Sequence, residues 1–275
     1  MSARLVDPVE LGNLVSAAAE RPGASRTLFL DVDGTIAPLE RAPAQARVLP
    51  GVPVALEQLA GAGWTIAVIS GRPWADARAM VPVDPVLIYG SHGAEDETGR
   101  LISPMPPSLS ARLEALLSSA AELAHRFPGV WAERKPAGMA LHHRMLKPTR
   151  QDDWLRAREA WLAVQDTTGL ESLAGRSVLE LRPRGVDKGT VARRLLRSGA
   201  PSHVDPSVVA IGDDVTDEDL FAAVAGSGIS IRVGLDRPDS AATFRLASPA
   251  AVELFLVQTA RLARAGDSRS AEASP

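Results

Sequence analysis

Apolar residues occur along this chain in two kinds of run. Short continuous runs, such as residues 28–30, 64–69 and 208–211, predict strands that are buried on both faces of a parallel sheet. Stretches with apolar residues at helical spacing follow them, as at 54–62 and 74–80. This alternation predicts an α/β fold in which a parallel sheet is flanked by helices.

Further segments extend the same pattern towards both ends of the chain. They predict a lead-in helix at 8–20, strands at 86–89, 229–233 and 243–246, and helices at 188–196 and 250–263. The small and polar residues 264–275 predict a disordered tail.

The pattern changes after a Pro-rich stretch at 104–108. We predict a helix at 109–127, a hairpin formed by 130–135 and 139–144, a helix at 152–164 and a strand at 177–182. This order does not continue the βα repeat. Residues 105–183 are therefore predicted to form an inserted α+β cap domain, and residues 1–104 and 184–263 to form the core.

Polar side chains end three of the apolar runs. Asp31 and Asp33 follow the first, Ser70 the second, and Asp213 with Asp214 the third. Because the carboxyl ends of parallel strands form one crevice, these side chains are expected to meet there. Neighbouring carboxylates repel unless a cation separates them, and their oxygen ligands suit Mg²⁺. The alternatives are a polar turn at Asp31 and a helix N-cap at Ser70.

Lys188 adds a positive charge to this set. It opens a predicted helix, where a cation is unfavourable, although a solvated surface lysine is the common case. A metal, carboxylates, a hydroxyl, an ammonium and helix amides together describe a phosphate site. In such a site an ionised aspartate can attack phosphorus and form an aspartyl phosphate.

Composition excludes several classes of function. The 275 residues carry a net charge of −3, so no basic stripe for nucleic acid is expected. Without cysteine there is no disulfide framework, which is compatible with the cytoplasm. No apolar run is long enough to cross a membrane, and no signal peptide is evident. We expect a monomer or a weak homo-oligomer.

The motifs resemble, in the same order, the four motifs of the haloacid dehalogenase-like (HAD) phosphohydrolases. They are Asp31-Val32-Asp33-Gly34-Thr35, Ser70-Gly71-Arg72, Lys188 and Gly212-Asp213-Asp214-Val215-Thr216-Asp217. The resemblance implies a HAD-like Rossmannoid core in which Asp31 is the nucleophile and Asp33 the general acid/base. It further implies that Ser70 and Lys188 hold the phosphoryl group. The implied Mg²⁺ ligands are Asp31, Asp33 and Asp213, with Asp214 and Asp217 supporting the metal.

A second resemblance is to trehalose-6-phosphate phosphatases. It rests on the acidic motif that continues to Phe221, and on Ser91-His92-Gly93-Ala94-Glu95, Glu133-Arg134-Lys135, His142-His143-Arg144 and Glu180-Leu181-Arg182-Pro183. In that family Asn is usual at Ser91 and Tyr at His143. The substrate-binding residues expected on these grounds are Gly34, Gly71, Arg72, His92, Glu133, Lys135, Arg144, Glu180 and Arg182.

The local pattern agrees, because Glu133 and Lys135, like Glu180 and Arg182, lie two apart on predicted strands and so share a face. The resemblance implies a Mg²⁺-dependent phosphatase acting on trehalose 6-phosphate, with the cap closing over the sugar. One alternative is the same chemistry on another phosphorylated sugar or a pseudo-disaccharide. The other is a non-catalytic sugar-phosphate sensor, which should have lost a motif residue.

Overall fold

Two compact units divide the chain. The computed structural model describes residues 3–40, 42–175, 177–196, 204–236 and 239–272. Residues 1–99 and 187–275 form one unit, here called the core unit, and residues 100–186 form the other, here called the inserted unit.

Helices and strands are numbered along the whole chain. The described strands are β1 (Arg4–Leu5), β2 (Thr27–Leu30), β3 (Thr65–Ile69), β4 (Leu87–Tyr89), β5 (Trp131–Lys135), β6 (Gly138–His142), β7 (Leu170–Ala174), β8 (Val178–Pro183), β9 (Val208–Gly212), β10 (Ile229–Val233) and β11 (Phe244–Leu246). The described α-helices are α1 (Pro8–Ala19), α2 (Gly51–Gly61), α3 (Trp74–Met80), α4 (Pro107–His125), α5 (Gln151–Ala163), α6 (Lys188–Leu196), α7 (Glu218–Val224) and α8 (Pro249–Glu272).

The sheet of the core unit confirms the predicted parallel α/β arrangement. Its strand order is β1-β11-β10-β9-β2-β3-β4, and all the neighbours pair in parallel. Strand β2 lies between β9 and β3, since Leu30 is in register with Ile211 on one side and Val68 on the other. The carboxyl ends of these three strands therefore lie side by side at one edge of the sheet.

Both faces of β2 are covered, which explains its continuous apolar sequence. Leu28 and Leu30 belong to the hydrophobic cluster that α1, α2, α3 and α8 complete on one face. Phe29 points the other way, into the cluster completed by α6 and α7. Strand β2 is thus fully enclosed as far as Leu30, and the carboxylates begin only after its last residue.

The inserted unit is a four-stranded antiparallel sheet with helices on one face. Its strand order is β5-β6-β8-β7, and α4 and α5 pack on the face that carries Met139, Leu141, Leu179 and Leu181. Because side chains alternate along a strand, the opposite face carries the charged residues. We call this the polar face, and its members are Trp131, Glu133, Lys135, His142, Glu171, Glu180 and Arg182.

The structure adds two strands to the predicted elements and corrects the bounds of two other segments. Strands β1 and β7 were not predicted; β7 has the weakly alternating sequence Leu-Glu-Ser-Leu-Ala, and β1 is only two residues long. Helix α2 begins at Gly51, before the predicted 54. The tail predicted to be disordered from 264 is instead helical as far as Glu272, because adding residues to an existing helix costs far less than starting one.

Among the described residues, no helix combines the length and the apolar character that crossing a membrane requires.

Candidate active site

The predicted acidic residues meet at the carboxyl edge of the core sheet. Asp31 follows β2 directly, and Asp213 follows β9. Together with Asp217, each offers a carboxylate oxygen, and the three oxygens lie within 4.8 Å of one another. Asp31 and Asp217 are buried, so these negative charges are brought together away from water.

One ammonium group bridges two of the carboxylates. Lys188 Nζ donates to Asp31 Oδ1 at 2.6 Å and to Asp217 Oδ1 at 2.8 Å, and the lysine is only 1% exposed. Burial disfavours the charged ammonium, but the carboxylates of Asp217 and Asp31 outweigh burial and raise the pKa of Lys188. Lys188 is therefore a permanent cation of the site and not a solvated lysine.

Asp217 shapes the loop that carries Asp213. Its second oxygen, Oδ2, accepts hydrogen bonds from the main-chain N–H groups of Asp213 and Asp214, both at 3.0 Å. Asp214 caps the single helical turn Val215–Asp217, with its side chain accepting from the N–H of Asp217. Asp217 thus joins Lys188 to the backbone of the acidic loop, by which we mean residues 213–217.

The environment of the three carboxylates favours binding of a cation. Burial, opposed by Lys188, raises the pKa of Asp31, and burial together with the charges of Asp31 and Asp217 raises the pKa of Asp213. A divalent cation would balance the excess negative charge that the three carboxylates hold over one ammonium. Oxygen donors of this kind suit Mg²⁺, so the residues present fit that ion.

Asp33 faces a different partner. Arg72 donates from Nε to Asp33 Oδ2 and from Nη2 to Asp33 Oδ1, both at 2.6 Å, and Nη2 also donates to the main-chain oxygen of Pro43 at 2.8 Å. The hydrogen bonds to Asp33 raise the pKa of Arg72. The Asp33 carboxylate therefore lies outside the group formed by Asp31, Asp213 and Asp217 among the described residues, and its role as a metal ligand stays a prediction.

Ser70 and the loop after β4 support each other. Ser70 is completely buried, and its Oγ accepts from the main-chain N–H of Arg72 at 3.1 Å. Its main-chain oxygen accepts from the N–H of His92 at 2.8 Å, and Ser91 N–H donates to the oxygen of Arg72 at 2.7 Å. Glu95 Oε2 accepts from Ser91 Oγ at 2.7 Å and fixes this second loop.

Two glycines allow close approaches that a side chain would prevent. Gly34 has φ +83°, and a Cβ there would lie 2.1 Å from Asp213 Oδ2. A Cβ at Gly71 would lie 2.6 Å from Cε1 of His92. Gly34 therefore lets the Asp31 loop and the acidic loop meet, and Gly71 lets His92 lie against the Ser70 turn.

In the inserted unit four predicted sugar-binding residues, Glu133, Lys135, Glu180 and Arg182, share the polar face, where each has a charged or histidine partner. Lys135 Nζ donates to Glu180 Oε1 at 2.5 Å, and Arg182 Nε donates to Glu171 Oε1 at 2.7 Å. Glu133 lies directly across β6 from Glu180, with Ala140 between them. Arg144 follows β6 in a half-buried position.

The two histidines after Leu141 lie on opposite faces. His142 Nε2 is 2.5 Å from Glu133 Oε2 on the polar face, and its ring stacks on Trp131 with centroids 4.6 Å apart. His143 points into the hydrophobic core against Trp154, and burial lowers its pKa. His143 therefore packs in the hydrophobic core and does not lie on the polar face.

Comparison with known proteins places this geometry in a family. A family model described as trehalose-phosphatase matches residues 29–250. The chain belongs to the trehalose-phosphatase family. A trehalose-phosphate phosphatase of Mycobacterium tuberculosis is 36% identical over 245 residues, which cover 86% of this chain and 61% of that protein. An uncharacterized glycosyl hydrolase of the same species is 36% identical over 253 residues, covering 86% of this chain and 18% of that protein.

A solved structure shares the fold of this trehalose-phosphatase family member. The C-terminal domain of Candida albicans trehalose-6-phosphate phosphatase superimposes with a TM-score of 0.78 at 22% identity, covering 94% of this chain and 98% of that one. Phosphatases of the HAD superfamily also share it, which confirms the predicted HAD-like fold class. The chain spans less than two thirds of the length of the two curated relatives described above.

Sequence reasoning gave no role to three residues of this family member that the structure places at its sites. Thr35 Oγ1 donates to Asp31 Oδ2 at 3.4 Å, and its signal was its place in the Asp-x-Asp-Gly-Thr motif. Trp131 lies on the polar face, where its spacing of two from Glu133 could have placed it. Glu95 Oε2 accepts hydrogen bonds from the N–H of Trp74 and from Ser91 Oγ, and so stabilises the loop that carries His92. The sequence motif that contains Glu95 does not identify these partners.

Proposed function

We propose that this chain is a Mg²⁺-dependent phosphatase that hydrolyses trehalose 6-phosphate to trehalose and phosphate. The observation that carries the proposal is the buried Lys188 ammonium bridging Asp31 and Asp217 beside Asp213. Membership of the trehalose-phosphatase family supports the choice of substrate. Every motif position is retained, which argues against a non-catalytic sensor.

In the first step, an oxygen of Asp31 attacks phosphorus and the bond from phosphorus to the sugar oxygen breaks. Asp33, protonated at that point, gives its proton to the departing sugar oxygen. The products of this step are free trehalose and an aspartyl phosphate on Asp31.

In the second step, water attacks the phosphorus of the aspartyl phosphate while Asp33, now ionised, accepts a proton from it. The bond between phosphorus and the Asp31 oxygen breaks, and phosphate leaves with Asp31 restored. Lys188 and Ser70 hold the phosphoryl oxygens in both steps, so that the charge developing on them is stabilised.

Asp31 and Asp213 would hold the Mg²⁺, with Asp33 as a further predicted ligand and Asp214 and Asp217 supporting the loop. When bound, the ion supplies a positive charge that offsets the repulsion between these carboxylates and the phosphate. Lys188 remains necessary, because it balances the charges of Asp31 and Asp217 on the side that it occupies.

The pair formed by Arg72 and Asp33 must open during the reaction. Both carboxylate oxygens of Asp33 accept hydrogen bonds from the Arg72 guanidinium, so neither can reach the sugar oxygen while the pair is closed. Phosphoryl oxygens offer the same bidentate geometry to Arg72. We therefore assign Arg72 to the substrate phosphate, and binding of that phosphate releases Asp33 for proton transfer.

We assign the sugar hydroxyls to side chains of the inserted unit. Glu133 and Glu180 offer acceptors, while Lys135, Arg182 and Arg144 offer donors, which is what a polyhydroxylated ligand needs for orientation. The N–H of Gly34 already donates to the main-chain oxygen of Ala37 at 2.7 Å, so substrate contacts by Gly34 and Gly71 stay predictions.

The substitution Asp31→Asn tests the reaction. It keeps the size of the side chain and removes the nucleophile, so turnover of trehalose 6-phosphate should be abolished while the far-UV circular dichroism spectrum is unchanged. Asp153→Asn, on the exposed surface of α5, is the matched control and should keep full activity. Full activity in Asp31→Asn would refute the mechanism.

The substrate is tested separately. We expect kcat/KM for trehalose 6-phosphate to exceed the values for glucose 6-phosphate and sucrose 6-phosphate. Equal values for the three would reject trehalose 6-phosphate as the specific substrate and favour another phosphorylated sugar, while leaving the Asp31 chemistry in place.

A further inference from the structure

A buried arginine lies behind the acidic loop. Arg232 is the one charged residue in the sequence Ile-Ser-Ile-Arg-Val of β10, and it is only 2% exposed. In the parallel ladder it is in register with Gly212, the last residue of β9 before the acidic loop. A full positive charge is thus enclosed next to the point where that loop leaves the sheet.

Arg232 contacts the acidic loop directly. Its Nη1 donates to the main-chain oxygen of Asp214 at 2.9 Å and lies 3.4 Å from Glu218 Oε1. Glu218 is itself held, since it accepts from Ser240 Oγ at 2.7 Å and from the N–H of Ala241 at 2.9 Å. Arg232 is therefore fixed between the strand and the first turn of α7.

Both main-chain polar groups of Asp214 are consequently hydrogen-bonded. The N–H of Asp214 donates to Asp217, and its carbonyl oxygen accepts from Arg232. Asp213 lies immediately before Asp214, so its direction depends on this fixed backbone. The Asp213 carboxylate lies against Gly34, in the loop that follows Asp31. There is no room for a side chain at Gly34, so the two loops are in close contact.

Core packing alone does not account for an arginine at this position. The Nε atom of Arg232 is buried and makes no hydrogen bond to the described residues. The distance of 3.4 Å from Arg232 Nη1 to Glu218 Oε1 is long for an ion pair. Burying a charge under these conditions costs free energy that an apolar side chain of similar volume would not. The contact with the acidic loop is what an apolar side chain could not provide.

We propose that Arg232 is a positioning residue that holds the acidic loop in the conformation in which Asp213 can bind the divalent cation. The proposal rests on the proposed function, since it concerns the cation of that site. Arg232 acts through the backbone of Asp214 and through Glu218, and it touches neither the cation nor the substrate.

Binding of Mn²⁺, followed by electron paramagnetic resonance with no substrate present, tests the proposal independently of catalysis. Arg232→Met should weaken Mn²⁺ binding about tenfold, and Arg232→Lys, which keeps a donor and the charge, should recover part of that loss. The matched control is Arg245→Met. Arg245 is also buried, lies beside Arg232 in the ladder, and donates to the main-chain oxygen of Gly234.

Each outcome decides the proposal. Weaker Mn²⁺ binding in Arg232→Met with binding within twofold of wild type in Arg245→Met supports it. Equal weakening in both variants, unchanged binding in Arg232→Met, or a wild-type chain that does not bind Mn²⁺ overturns it.

A second variant covers the case in which Arg232→Met does not fold. Glu218→Gln keeps the size and the acceptor oxygen but removes the charge that orients Arg232, so Mn²⁺ binding should weaken about threefold. Unchanged binding in Glu218→Gln would then overturn the proposal. Failure of the wild-type chain to hydrolyse trehalose 6-phosphate would refute the proposed substrate, while the Mn²⁺ series would still decide the role of Arg232.

Discussion

The core unit and the inserted unit both gather charged side chains, but they balance them differently. In the core unit, three carboxylates share a single ammonium, that of Lys188. On the polar face, acids and bases pair one to one, as in Lys135 with Glu180 and Arg182 with Glu171. The core site has more carboxylates than ammonium groups, which suits a divalent cation. On the polar face each acid has a basic side chain beside it, which suits an uncharged ligand such as a sugar.

Of the substitutions considered, removal of Lys188 should have the largest effect on stability and activity. Lys188→Met leaves Asp31 and Asp217 buried without their cation, and breaking a buried ion pair costs about 3–5 kcal/mol. Loss of a charged contact to the phosphoryl group should also lower kcat by about 10²–10³-fold. Urea unfolding and steady-state kinetics measure the two effects. Lys147→Met, at an exposed position, is the control and should change neither.

The excess negative charge of the core site should make the metal-free protein less stable as pH rises. Burial raises the pKa of Asp31 and Asp213 in the folded state, so the folded state binds more protons than the unfolded state above the usual carboxyl pKa. Stability is then full at acidic pH and falls as pH rises towards the raised pKa values, by at most about 1.4 kcal/mol per pH unit for each group.

Mg²⁺ should reverse this trend. Thermal unfolding between pH 5 and 8, with EDTA and with Mg²⁺, should show a stabilisation by Mg²⁺ that grows with pH. In Asp213→Asn the pH dependence should be shallower and the effect of Mg²⁺ largely lost. A melting temperature of the EDTA-treated wild type that rises steadily over this range would contradict the charge excess.

At the core site, Arg72 and Asp33 form a one-to-one pair like those of the polar face, and substitution of Arg72 tests its role. Arg72→Lys keeps the charge but cannot bind a carboxylate or a phosphate in a bidentate way. Loss of one charged hydrogen bond of about 1.5–3 kcal/mol should lower kcat/KM about tenfold to a hundredfold. Arg78→Lys, which alters the exposed pair with Asp84, is the control. Equal kcat/KM in wild type and Arg72→Lys would argue against a phosphate contact.

The polar face should show the smallest effects. Glu180→Gln removes one charge from the pair with Lys135, and we expect KM for trehalose 6-phosphate to rise about tenfold while kcat stays within about twofold, as for loss of uniform binding. Because Glu180 is buried, stability should also fall, by about 1.5–3 kcal/mol, as for loss of a hydrogen bond between charged groups. Asp153→Asn again serves as the control. A fall in kcat without a change in KM would contradict a role for Glu180 in sugar binding and would indicate a role in the chemical step.

Local sequence predicted the parts of this molecule that depend on neighbours along the chain. Continuous apolar runs identified β2, β3 and β9. Strands that are buried on both faces carry apolar side chains on both, so their sequences do not alternate between apolar and polar residues. The abrupt change to Asp31 and Asp213 at the strand tips identified the acidic site. The spacing of two in Glu133 and Lys135 identified one face of the inserted sheet.

Only the tertiary structure decided which side chains pair. The sequence placed Asp33 with the metal ligands, which stays a prediction, but it did not show that the Asp33 carboxylate binds Arg72, 39 residues away. It placed Asp217 in support of the metal without showing that Lys188 and two main-chain N–H groups already occupy its oxygens. Spacing along a strand fixes the direction in which a side chain leaves the backbone. The partner that it meets depends on segments that are distant in sequence and are brought together by burial of the apolar strands between them.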